Sequence, residues 1–190
     1  LSEQIQNLIE CGFIRKYMVR EKKVVKENSG IYQLVDPFTL FHLYFYSKAK
    51  GDTRFWENHI NTPVVNTWLG LAFEKVCLLH TQQIKEALRI DAISTQQYSW
   101  RSKDKKTPAQ IDLIIDRADG MINLCELKYS ETDYILTESE FNKMERRFAA
   151  FVSETGTRKG IFKTLITACP LKKNQYSESI PVKLTADCLY

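Results

Sequence analysis

Gln110-Ile-Asp-Leu-Ile-Ile-Asp-Arg-Ala-Asp-Gly-Met-Ile-Asn-Leu-Cys-Glu-Leu-Lys-Tyr129 is the stretch on which the reading of this chain turns. Two apolar, β-branched runs flank Arg117-Ala118-Asp119-Gly120, and an Asp-Gly pair in that setting is a strong signal for a tight hairpin turn. Polar residues interrupt the apolar runs at particular places. Asp112 stands inside Ile-Asp-Leu-Ile-Ile, and Glu126 and Lys128 flank Leu127 at the end of the second run. Side chains alternate along a strand, so Glu126 and Lys128 share a face with Ile122 and Leu124. A carboxylate and an ammonium are costly to bury there unless they are paired or hold an ion.

An acid on one strand, then Glu-x-Lys on its hairpin partner, resembles the arrangement of the PD-(D/E)XK nuclease superfamily. Those domains run helix, three strands, helix, strand, with an acid on the first helix, and Gly70-Leu-Ala-Phe-Glu74 is similar to that position. Over Pro63 to Tyr129 the chain also resembles the C-terminal region of the archaeal-type (AAA+/STAND-like) ATPase family. In that family a nucleotide-hydrolysing domain precedes a winged helix and a nuclease-like domain. The resemblance implies an α/β fold: a restriction-endonuclease-like α-β-β-β-α-β core with a mixed central sheet, preceded by a partial winged helix. It places the winged-helix segment and a linking helix in residues 1–50 and the nuclease-like domain in residues 51–190.

The resemblance also implies a chemistry. Phosphodiester hydrolysis needs a metal that polarises the phosphate and activates water, and a group that steadies charge building on oxygen. Asp112 and Glu126 offer hard oxygen ligands suited to Mg²⁺ or Mn²⁺, since Mg²⁺ takes a few carboxylates and keeps several waters. The Leu127 carbonyl would be the third protein ligand, and Glu74 would hold a water of the ion from the helix side. Lys128 would orient the attacking water and counter the charge of the scissile phosphate, and Gln110 would contact the phosphate or that water. The site residues expected are therefore Glu74, Gln110, Asp112, Glu126, Leu127 and Lys128. DNA is the substrate class that the superfamily implies.

Bulk composition permits this without demanding it. The 190 residues are 44% hydrophobic and 26% charged, with a net charge of +4, a mildly basic balance compatible with a nucleic-acid surface. No apolar run approaches the roughly 20 residues a membrane helix needs, and no secretory leader is seen, so a cytoplasmic protein with no membrane partner is expected. Five cysteines stand singly, with no Cys-x-x-Cys pair, which indicates neither a zinc site nor a disulfide framework. His42, His59 and His80 lie far apart. The chain has no phosphate-binding loop of the Gly-x-x-x-x-Gly-Lys-Ser/Thr type, so ATP would enter only through an upstream domain of the same protein. Self-association into a homo-oligomer stays open.

Around the hairpin, the N-terminal segment reads as a helix near residues 1–11, a strand over 13–19, an exposed loop over 21–30 as the wing, and a strand over 31–35. Glu3 and Glu10, with no Lys or Arg before Arg15, argue against this helix entering a DNA groove. Asp36-Pro37 caps a helix whose residues Phe38 to Tyr46 are apolar nearly all round, which predicts burial on every side. Residues 48–62 read as a polar connector carrying the domain boundary. One long helix is predicted over 63–88, with Gly70 allowing close approach to the sheet. A strand over 93–101 and the basic loop Lys103-Asp-Lys-Lys-Thr-Pro108 lead to Asp112; that loop reads first as a solvated turn and second as a phosphate contact. A helix over 138–155 with Lys143, Arg146 and Arg147 among its residues, a strand over 160–167 and an edge segment over 171–190 complete the pattern. The competing reading keeps the fold but not the turnover: the polar groups form a neutralised cluster in a nucleic-acid-binding or assembly module.

Overall fold

The computed structural model of the chain describes residues 2–20, 30–60, 62–104 and 106–190. Its elements, in order, are α1 (Ser2–Glu10), β1 (Ile14–Arg20), β2 (Gly30–Leu34), α2 (Pro37–Ala49), α3 (Phe55–His59), α4 (Pro63–Leu79), α5 (Thr81–Ala87) and β3 (Thr95–Arg101). Then follow β4 (Gln110–Arg117), β5 (Met121–Lys128), α6 (Glu138–Thr155), β6 (Gly160–Thr167), α7 (Gln175–Glu178), β7 (Val182–Thr185) and a closing 3₁₀ turn, Ala186–Leu189.

The β4–β5 hairpin closes through Asp119 and Gly120. Gly120 takes φ +82, the left-handed region that costs a glycine little. The Asp119 carboxylate accepts from the Met121 N–H at 3.3 Å and from the Arg117 guanidinium. Among the described residues one seven-stranded sheet has the order β2-β1-β3-β4-β5-β6-β7. β3, β4 and β5 run antiparallel in turn. The α6 crossover then makes β6 parallel to β5, and β7 parallel to β6, as a helical connection permits. The fold is therefore mixed α/β.

Two apolar layers sandwich the sheet. On one face Trp100, Ile111, Ile114, Ile122, Leu124 and Leu165 pack with Met144, Phe148 and Phe151 of α6. On the other, Leu113, Ile115, Cys125, Leu127 and Ile166 pack with Phe73 and Cys77 of α4 and Ile84 of α5. α6 starts in a capping box in which Thr137 and Glu140 satisfy each other's backbone N–H, which fixes the helix start beside the end of β5.

Several expectations need correction. The helix over 63–88 is two helices meeting at His80. The Thr81 hydroxyl there donates to the Leu78 carbonyl at 2.9 Å, giving the last turn of α4 a side-chain partner in place of a continued ladder. An ideal Cβ built on Gly70 meets no atom within 4 Å, so close approach to the sheet does not require glycine there. α2 is not buried on every side. Phe45 is enclosed with Val65 and Trp68, whereas Phe38 and Tyr46 are 73% and 72% exposed, because α3 and α4 cover only one flank. The polar connector contains α3, whose Trp56 ring lies 5.1 Å from that of Phe41. The C-terminal segment adds the short helix α7, capped by Asn174, before its edge strand.

At the N-terminus, β1 and β2 pair antiparallel from Ile14↔Leu34 to Met18↔Gly30. Residues 19 and 20 of β1 also pair parallel with Ser99 and Trp100 of β3, so these strands extend the same sheet. The wing expected over 21–30 lies, Gly30 apart, outside the described residues.

Candidate active site

The β4–β5 ladder runs from Asp116↔Ile122 to Leu113↔Cys125. Beyond that pair each strand keeps only its outer neighbour. Ile111 and Gln110 pair with Trp100 and Arg101 of β3, while Glu126, Leu127 and Lys128 pair with Leu165, Ile166 and Thr167 of β6. The hairpin thus opens into a fork, and the polar residues picked out in the sequence stand along its two arms.

A β-bulge shapes one arm. Tyr98 pairs with Ile114 and Trp100 with Ile111, so Asp112 and Leu113 together oppose the single residue Ser99. A bulge interrupts alternation and re-aims side chains. Without it Asp112 would share the face of Ile114, under α6. With it, Asp112 and Gln110 line a pocket against α4 together with Glu74, Lys75, Leu71 and Ser99. Gln110 Nε2 donates to Asp112 Oδ1 at 2.5 Å, and Gln110 Oε1 accepts from Arg101 Nη2 at 3.1 Å. Gln110 is thereby a positioning link between Arg101 and Asp112.

The other arm faces α6. Glu126 is only 6% exposed and takes two cations on one oxygen: Lys128 Nζ at 3.0 Å and Arg147 Nη2 at 2.5 Å from Oε1. That leaves Oε2 outside both ion pairs. Arg147 Nε is buried without a hydrogen-bond partner. Leu127 points the opposite way, into the α4 layer.

The structure therefore brings Glu74, Gln110 and Asp112 together on one wall, and Glu126 and Lys128 on the other. Shared ligation of one ion, as the resemblance implies, would have Asp112 and Glu126 face each other; the bulge instead turns Asp112 toward α4. The walls still sense each other. Burial first, then the charge of Asp112 and, more weakly, Glu126, push the Glu74 carboxyl up to about 7, against the opposing pull of Lys128 and Lys75. Like charges within reach disfavour ionisation, so the fork carries crowded negative charge. The bulge and the parts played by Arg101, Lys75 and Arg147 were missed from sequence; of these only Arg147 left a trace there, as one of the basic residues of the helix predicted over 138–155.

Asp112 and Glu74 fit a hard divalent cation, since Mg²⁺ is held by one or two carboxylates and retains waters. Among the described residues no three His, Cys, Asp or Glu side chains already converge as a cage. Glu126 would add its Oε2 only by reaching across the fork.

The Glu74 shift has a consequence for the metal-free protein. Its carboxyl titrates at about 7 in the fold against an ordinary 4.5, so the unfolded chain ionises first as pH rises. Between those values the folded state holds the extra proton, and stability falls with rising pH, levelling off above the upper one. Thermal midpoints measured across that range should slope downward in the parent protein and less so in Glu74→Gln. An unchanged slope in the variant would assign the effect elsewhere.

Comparison of the chain with family models, with curated proteins and with solved structures finds no match in any of the three. Among the described residues no helix is long and apolar enough to cross a membrane.

Proposed function

We propose that this chain carries a PD-(D/E)XK-type, divalent-cation-dependent nuclease domain that hydrolyses phosphodiesters, with DNA as its substrate class. On this reading α4, β3, β4, β5, α6 and β6 form the restriction-endonuclease-like core. The segment ahead of α3 is the remnant of a winged helix, and the chain is the C-terminal part of an archaeal-type ATPase that binds ATP in an upstream domain. The observation that carries the reading is the fork: a hairpin that parts one residue before Asp112 and Glu126, with a bulge at Asp112 and a helical Glu74 sensing both. Bulges and interrupted pairing are placed where a strand must present a side chain to something other than its neighbour strand.

Mg²⁺ or Mn²⁺ held by Asp112 and Glu74, with Glu126 and the Leu127 carbonyl as further oxygens, would supply Lewis-acid polarisation of the phosphate. The chain's own groups do the rest. Gln110 fixes the Asp112 carboxylate. Lys128 sets a positive charge at the mouth of the fork, where it orients water and steadies charge developing on the phosphate oxygens.

A second reading has its own observation. Glu126 is already neutralised by Lys128 and Arg147, as in a module that keeps the fold for nucleic-acid binding or assembly without turnover. Calorimetric titration with Mg²⁺ and Mn²⁺, alongside incubation with plasmid and single-stranded DNA, separates the two. Metal binding with cleavage abolished by EDTA is expected. Absence of both at millimolar metal would leave the silent module.

A further inference from the structure

On the α6 side of the fork lies a groove of about 670 Å³, lined by Lys128, Lys143, Arg146, Arg147, Ala150 and the loop residues Thr107, Pro108 and Ala109. Four of its eight lining residues are cations and none is an acid, whereas in the whole chain 27 basic residues are nearly offset by 23 acidic ones. Their placement follows from helix geometry. Lys143, Arg146, Arg147 and Ala150 recur at spacings that put them on one face of α6, beside the Met144–Phe148–Phe151 face that packs on the sheet. Lys143 and the two arginines are about one turn, ~5 Å, apart along the axis. Lys143 and Arg146 are exposed.

The opposite wall is braced. The Ser102 hydroxyl and the Lys103 N–H both donate to the Glu154 carboxylate near the end of α6. Asp104 folds the loop back on itself through the Lys106 N–H at 2.8 Å and the Thr107 hydroxyl at 2.6 Å, and Ser102 N–H closes its base on the Ala109 carbonyl at 2.8 Å. A cationic groove between a helix and a tethered loop is pre-formed, so an anion that enters it spends little on ordering the walls. Its other lining residues are Thr107, Pro108, Ala109 and Ala150, so it offers no Asn, Gln, Asp or Glu to read base edges and suits contact with the sugar-phosphate chain. Arg147 joins the groove to the fork, because it lines the one and pairs with Glu126 of the other.

We propose that this groove holds the phosphate backbone of a single nucleic-acid strand, with Lys143, Arg146 and Arg147 as phosphate contacts that lead the strand past Lys128 into the fork. The inference takes its substrate class from the nuclease reading but does not depend on cleavage. The groove's volume of about 670 Å³ lies within the ~300–1,000 Å³ of ordinary ligand pockets, enough for a short stretch of one strand. Each cation engaged releases counterions, so log K against log salt should lose about 0.7 of slope per contact removed on single strands.

The test is fluorescence anisotropy with a labelled single-stranded oligonucleotide and a duplex of equal length, in EDTA, over a salt series. The parent protein is expected to prefer the single strand. Lys143→Ala/Arg146→Ala should weaken binding and flatten the salt slope by a little over 1, with Lys172→Ala/Lys173→Ala as the charge-matched control that leaves both unchanged. Both target residues are solvent-exposed, and an unaltered thermal melt verifies the fold. No binding by the parent, a duplex preference, or equal losses in the two double variants would each overturn the groove. Binding lost in the groove variant while no condition yields cleavage would uphold the groove and sink the nuclease reading. Cleavage that needs Asp112 but ignores Lys143 and Arg146 would do the reverse.

Discussion

Asp112→Asn is expected to lower metal-dependent cleavage at least about a hundredfold while leaving the fold intact. Changes in groups that merely orient a metal ligand commonly cost about 10–100-fold in affinity or activity, and loss of a ligand should exceed the top of that range. Asparagine keeps the shape, so the Gln110 contact at 2.5 Å has a partner in the variant. What disappears is the charge. A second readout tests the same geometry without any substrate. Asp112 is the largest electrostatic contributor raising the Glu74 carboxyl, so in Asp112→Asn the window over which stability falls with pH should shorten at its upper end. Cleavage retained at parental rates with unchanged metal dependence would remove Asp112 from the chemistry. An unmoved pH window would show that the bulge does not aim Asp112 at α4 in solution.

How this site came to be partly legible follows from which interactions are local. The β4–β5 hairpin could be read because its turn residues and β-branched runs act within a few positions of each other: Gly120 takes the φ that the turn needs. The extent of α6 was legible for the same reason, as Thr137 and Glu140 cap it across three residues. The bulge was not, because it exists only relative to Ser99 of β3, and no pattern within β4 announces a register set by a partner strand. Strict alternation puts Asp112 under α6, and one extra residue moves it to the other wall. The Glu126–Arg147 contact spans 21 residues and depends on how α6 docks. The same holds for residues 19 and 20 of β1, whose pairing with β3 joins segments far apart in the chain. The exposed flank of α2 was misjudged because apolar composition reports a preference for burial without naming a neighbour to provide it.

Arg147→Met should destabilise the protein by about 3 kcal/mol, the low end of what removing one partner of a buried ion pair costs. The low end applies because Lys128 remains on the same carboxylate oxygen at 3.0 Å. Glu126 has a side chain only 8% exposed, so its charge has little water to turn to once the guanidinium is gone. The double variant Glu126→Gln/Arg147→Met removes both charges and should recover much of the loss; a urea-unfolding cycle over the four proteins gives the coupling directly. The sign of the metal effect then decides between the two functions. If Glu126 belongs to a cation site, Arg147 and a divalent ion compete for its charge. Mg²⁺ should then stabilise Arg147→Met more than it stabilises the parent, by an amount growing as RT ln(1 + [L]/Kd). If the cluster is only a neutralised anchor, Mg²⁺ will leave the deficit of the variant where it was, and the silent module becomes the better account of the fork.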